Sequence, residues 1–127
     1  MSSENIRGLD KLIEWFGAGF HFHDAEIVEL RLKSQGASRL QVHAWRLRGG
    51  TDTAGIHLRD RNALVTFILD DVFELDLAGF SPQNVIARLD LDDIENGIRV
   101  TLAPCYGLSG IIEARRVSIE VESLEVT

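Results

Sequence analysis

Apolar residues at Ile6, Leu9, Leu12, Ile13 and Phe16 recur at three- and four-residue steps, the stripe of one amphipathic helix over residues 5–16. Gly17 and Gly19 end it. Trp15 stands one position off the stripe, where it widens the buried face or meets the strand that follows. The period then falls to two. Val28, Leu30 and Leu32 point one way and Glu29, Arg31 and Lys33 the other, which predicts a half-buried strand. Ser34 to Ser38 turn the chain, and Leu40, Val42 and Ala44 resume the alternation, giving an antiparallel hairpin with a loop of about five residues.

Residues 49–55, Gly-Gly-Thr-Asp-Thr-Ala-Gly, predict an exposed loop. Ala63 to Leu69 is apolar on both faces, as suits a central strand covered on two sides, with the amino-terminal helix a candidate cover. Asp70-Asp71 interrupts, and Phe73, Leu75 and Leu77 alternating with Val72, Glu74 and Asp76 predict another strand with one wet face. Ala78 to Pro82 turns the chain. Residues 83–91 fit two patterns, because Val85, Ala87, Leu89 and Leu91 alternate while Val85, Ile86 and Leu89 also share a helical face; strand is favoured. Asn96-Gly97 is the strongest turn signal, followed by Ile98, Val100 and Leu102, a hairpin pattern. Farther on, Ile112 and Ala114 have one parity and Val117, Ile119 and Val121 the other, so a β-bulge is expected at Arg115-Arg116 to restore the phase.

The sum is an α+β fold, one N-terminal helix packed on a predominantly antiparallel β-sheet or sandwich of about eight strands. Residues 1–127 are expected to form a single domain, with residues 26–126 as the strand-rich body, since a chain of this length buries roughly two thirds of its unfolded surface. Hydrophobic residues make up 45% and charged residues 26%, a globular composition.

Charge narrows the partners. Thirteen Lys and Arg against 20 Asp and Glu leave a net charge of −7, which repels nucleic-acid phosphates and anionic membranes and favours a basic protein partner. Cys105 is the single cysteine, so an internal disulfide is excluded and a reducing compartment fits. The amino terminus has no basic region leading into an apolar run, and no apolar stretch approaches the ~20 residues of a membrane helix. A cytoplasmic location is expected.

His21 and His23 alternate with Phe20 and Phe22, and Asp24 follows where the strand begins. Two imidazoles and a carboxylate are a metal-ligand set, yet the remaining histidines, His43 and His57, lie in no recognisable motif. The favoured reading is architectural: Asp24 accepts backbone N–H bonds at the start of the strand, and Phe22, His23, Asp24 and Glu26 organise the fold. No metal or cofactor is then expected; a metal-binding or metal-dependent enzyme site of His21, His23 and Asp24 is the alternative. Asp90 to Gly97 fails as a calcium loop, with Ile94 at the fifth position and the glycine displaced. Cys105 with His43 or His57 as base would be a nucleophile, but a lone cysteine reads first as a small buried hydrophobe. What stands out is acidity: Asp70, Asp71, Glu74, Asp76, Asp90, Asp92, Asp93 and Glu95 fall within 26 positions that contain one basic residue, Arg88. Such a patch either binds a basic partner or serves solubility.

Trp15-Phe16-Gly17 followed by Phe22-His23-Asp24-Ala25-Glu26-Ile27 resembles bacterial immunity proteins of the Imm50 family, which carry a similar Phe-His-Asp-Ala-Glu signature near the amino terminus. Phe67 to Leu75, as Phe-x-x-x-Asp-Val-x-Glu-Leu, and Gly79 to Ile86 are similar to that family too, so the resemblance covers nearly the whole chain. Ala18 to His21 stand where a Trp-Pro-like step is expected. The resemblance implies a non-enzymatic cytoplasmic protein that binds and neutralises a cognate toxin domain delivered between competing bacteria; it transfers no binding residue. A structural or assembly subunit is the remaining class.

Overall fold

Alternating residues make a strand only where backbone N–H and C=O groups find partners, and here the partners form a ring. A computed structural model describes residues 4–51 and 57–125. Among them are one helix, α1 (Leu9–Phe16), and seven strands, β1 (Ile6–Arg7), β2 (Glu26–Arg31), β3 (Ala37–Thr51), β4 (His57–Ala78), β5 (Val85–Ile94), β6 (Gly97–Tyr106) and β7 (Ser109–Ser123). The order is β1-β7-β4-β3-β2-β5-β6, and β6 also pairs with β7. Six strands therefore close into a cycle in which every pairing is antiparallel. Only β1 is parallel to its partner, Ile6 lying opposite Val117.

The inward faces supply the core. Leu40, Val42 and Ala44 of β3, Ala63, Val65, Phe67 and Leu69 of β4, and Ile98, Val100, Ile112 and Val117 of β6 and β7 are fully buried. Helix α1 adds Leu12 and Phe16 to the same cluster. The segment from Ala63 to Leu69 lies between β3 and β7, but it is not covered on two sides as expected: Ala63, Val65, Phe67 and Leu69 are buried inside the ring, while Leu64 and Ile68 on its outer face are half-buried.

The antiparallel α+β class is seen, with seven strands in place of about eight and a closed cycle in place of a sandwich. The helix begins at Leu9, not residue 5. Gly8 has a left-handed φ of 93°, and a Cβ there would collide with the Ile119 carbonyl, so the chain before it runs along β7, where Val117 N–H donates to the Asn5 carbonyl at 2.8 Å. Ile13, part of the predicted apolar stripe, is exposed. Trp15 is half-buried at the margin; its indole N–H donates to the Arg61 carbonyl at 2.8 Å, Arg61 Nε returns a bond to the Trp15 carbonyl at 2.7 Å, and the guanidinium lies 3.6 Å above the ring.

Asp70-Asp71 does not divide two strands. Asp71 takes a left-handed φ of 54°, and β4 bends there without ending. The parity slip in β7 is real, but it is matched across the ladder: Leu69 faces Val117, Asp70 faces Arg116 and Val72 faces Ala114. Both strands change face together, so no bulge is needed at Arg115-Arg116; the register shift falls between Val72 and Glu74. A second shift, between Ile27 and Glu29, turns Ile27 inward and Val28 outward, so Val28, Leu30 and Leu32 do not share one inward face. Residues 83–91 form strand from Val85. Of the predicted loop at 49–55, residues 49–51 belong to β3 and residues 52–55 lie outside the described residues.

At the β5–β6 hairpin Ile94 pairs with Gly97, so Glu95 and Asn96 are the turn. Gly97 is there for another reason: a side chain would strike the Ala114 carbonyl of β7. Gly8→Ala should lower stability by about 2–4 kcal/mol, combining backbone strain with a steric clash. Urea unfolding followed by circular dichroism checks this, and a midpoint equal to that of the parent chain would contradict the close approach of Gly8 to β7.

Candidate functional site

Residues opposite each other in a ladder point to the same side, so the register decides which acidic side chains meet. One row across the sheet reads Asp92, Arg99, Glu113, Glu74, and the next reads Asp90, Thr101, Ile111, Asp76. These rows are two residues apart on each strand and share the outer face of β5-β6-β7-β4. Arg99 Nε donates to Glu113 Oε2 at 2.6 Å, and Arg88 Nε to Asp90 Oδ2 at 2.7 Å. Five carboxylates thus gather around two arginines already engaged by two of them.

Of the eight acidic candidates, Glu74, Asp76, Asp90 and Asp92 are brought together. Asp93 falls in the alternate row, opposite buried Ile98; Glu95 sits in the hairpin turn; Asp71 is at the bend of β4 and Asp70 opposite Arg116. Glu113 joins the face although its place in the apolar stretch from Ile111 to Ala114 hid it. Only cross-strand register reveals it.

The Phe22 to Glu26 segment lies at the seam between β2 and β5. Glu26 pairs with Val85, Asp24 N–H donates to the Ile86 carbonyl at 2.8 Å, Ile86 N–H to the Ala25 carbonyl at 2.8 Å, and Ile27 N–H to the Asn84 carbonyl at 2.9 Å. Phe22 is buried, its ring 5.6 Å from Phe67 and 5.0 Å from Phe20. The segment meets the rest of the fold through these backbone hydrogen bonds and the Phe22 ring. The Asp24 side chain does not cap backbone N–H groups as anticipated: with φ at 71°, its exposed carboxylate lies 3.2 Å from His23 Nδ1 and 4.0 Å from Cys105 Sγ.

Cys105 departs from its sequence reading as well. It is exposed, because Pro104 and Tyr106 pair with Ile86 and Val85 and leave Cys105 as the extra residue of a bulge, the device by which strands re-aim a side chain. His43 is not its base; His43 Nε2 lies 3.1 Å from Asn62 Oδ1, and the side chain of His57 lies outside the described part. His23, Asp24 and Cys105 each bring a potential ligand atom within 4.8 Å of the others. His21, of the alternative set His21, His23 and Asp24, is not a member of this group; its ring centre is 6.4 Å from that of His23.

Beside His23 opens a cavity of about 260 Å³ lined by Phe16, Phe20, His21, His23, Trp45 and Arg46, among others. Arg46 is tied to Asp60 by paired hydrogen bonds of 3.0 and 2.8 Å, which raise its pKa above the ordinary arginine value. The seam is buttressed by buried Asn84: its Oδ1 accepts from Ser81 N–H at 3.0 Å and Leu108 N–H at 2.9 Å, and its Nδ2 donates to the Ser81 carbonyl at 2.7 Å.

No helix among the described residues is long and apolar enough to cross a membrane. Comparisons of the chain with family models, with curated proteins and with solved structures found no match.

Asn84→Ala should orphan the buried Leu108 N–H and cost about 2 kcal/mol. Hydrogen exchange should show the loss concentrated at the β2–β5 seam and the β6–β7 turn; uniform protection equal to the parent's would rule Asn84 out as the buttress.

Proposed function

We propose that the chain is a non-enzymatic immunity-type protein that neutralises a bacterial toxin domain by placing the acidic outer face of β5-β6-β7-β4 against a basic surface. The observation that carries this reading is the pair of rows that put Glu74, Asp76, Asp90, Asp92 and Glu113 on one side of the sheet. Arg88 and Arg99 are each paired within the face, and exposed Arg115 stands two residues beyond Glu113 on β7; five carboxylates against three arginines leave the face net negative, a field that steers a cationic partner. Half-buried Thr101 and Ile111 lie between the carboxylates, a less polar centre within a charged rim, as interfaces commonly have. Toxins that act on nucleic acid carry cationic surfaces for its phosphates, and an acidic protein seated there blocks substrate. The class itself comes from the resemblance read in the sequence at Phe22 to Ile27, which no family model matches.

The test is titration of the purified chain with the toxin domain encoded by the neighbouring gene, together with protection of cells expressing that toxin. Replacing Glu74 and Asp92 together by lysine should weaken binding by about tenfold or more, chiefly through slower association, with a flatter dependence on salt. Glu14→Lys, on α1, is the control and should leave affinity unchanged. Unaltered affinity in the double reversal would exclude this face, and failure of the parent chain to bind or protect would remove the function itself.

A further inference from the structure

We propose that His23, Asp24 and Cys105 form a binding site for one zinc-class divalent cation. The proposal is independent of the acidic face and of any toxin.

The three side chains arrive from two distant parts of the chain, the lead-in to β2 and the bulge in β6, 81 positions apart between Asp24 and Cys105. Their spacing suits an ion. Around a tetrahedral metal with bonds of about 2.0–2.3 Å, donor atoms lie roughly 3.3–3.7 Å from one another. Here His23 Nδ1 is 3.2 Å from Asp24 Oδ2, Cys105 Sγ is 4.0 Å from Asp24 Oδ1, and the potential ligand atoms all fall within 4.8 Å. All three residues are exposed, so a change of side-chain rotamer is what would draw the donors to metal-bond spacing.

Their backbones are not free. Ile86 is a common anchor: its carbonyl accepts the Asp24 N–H at 2.8 Å and lies 3.8 Å from Cys105 Sγ. Asp24 is held in a left-handed conformation and Cys105 in a bulge, so both ligands are presented from fixed points. An ion pair between His23 and Asp24 does not account for the cluster, because both side chains are about half exposed and such pairs contribute little.

Ligand chemistry selects the ion. Imidazole, thiolate and carboxylate together favour zinc over calcium or magnesium, which take oxygen donors. Capture replaces the thiol proton: the S–H bond breaks, an S–metal bond forms, and the proton leaves to solvent. Three protein ligands leave a coordination position for water.

The experiment uses the full chain stripped with chelator and titrated with Co²⁺, whose thiolate charge-transfer absorption reports sulfur ligation. One ion per chain should bind with that band, and Zn²⁺ should displace it. Cys105→Ser should abolish the band; His23→Ala and Asp24→Asn should each weaken binding by about tenfold or more; His21→Ala should change nothing. Circular dichroism verifies that each variant is folded. As a second readout, Zn²⁺ should slow alkylation of Cys105 in the parent chain and not in His23→Ala. Absence of the thiolate band in the parent, or parent-like affinity in Cys105→Ser or His23→Ala, would overturn the site.

Discussion

Three backbone hydrogen bonds around the Glu26–Val85 pair join β2 to β5 and close the six-stranded ring. The other junctions are long ladders; this one is short, and the interior depends on it. Ala25, Ile27 and Ile86 are buried at the seam, and Phe22 enters the same core. An unclosed sheet would expose that apolar surface along with two strand edges, both of which invite association with other chains. Asn84 supports the closure from the β4–β5 connection, holding Ser81 on one side and Leu108 on the other.

The His23–Asp24–Cys105 cluster and the acidic face occupy different parts of the molecule. Asp24 leads into β2 with a left-handed φ and Cys105 sits in a bulge of β6 opposite Val85 and Ile86, and these irregularities set polar side chains in solvent beside one another. The regular ladders of β5, β6, β7 and β4 instead distribute their outward side chains in rows, the arrangement that suits a broad contact surface. One sheet thus carries a point-like cluster and an extended charged face.

Much of this architecture is legible in local pattern. The parity of Leu40, Val42 and Ala44, and the apolar run from Ala63 to Leu69, depend only on neighbours along the chain. Failures arose where a distant partner decided the outcome. Gly8 breaks the helix because it abuts Ile119, Gly97 is fixed by Ala114 more than by its turn, and the slip at Arg115-Arg116 is absorbed by a matching bend in β4. Glu113 escapes the acidic run and Cys105 reads as buried for the same reason: the first is placed by register with Arg99 and Glu74, the second by an unpaired position opposite Ile86. The acidic residues were visible as a run, but their division into a shared face and outlying members was not.

Strand β7 borders three others: β4 lies along one edge, while β6 and β1 divide the opposite edge, β6 pairing with residues 110–114 and β1 with 117–118. Among the described residues it is also the last strand. As the chain emerges from the ribosome, β2 to β6 can form hairpins, but neither the cylinder nor its amino-terminal strap can be completed before residues 109–123 have cleared the exit tunnel. Every residue up to β7 must therefore be made before the ring can close, and nascent chains halted short of β7 would present an unsealed sheet to chaperones.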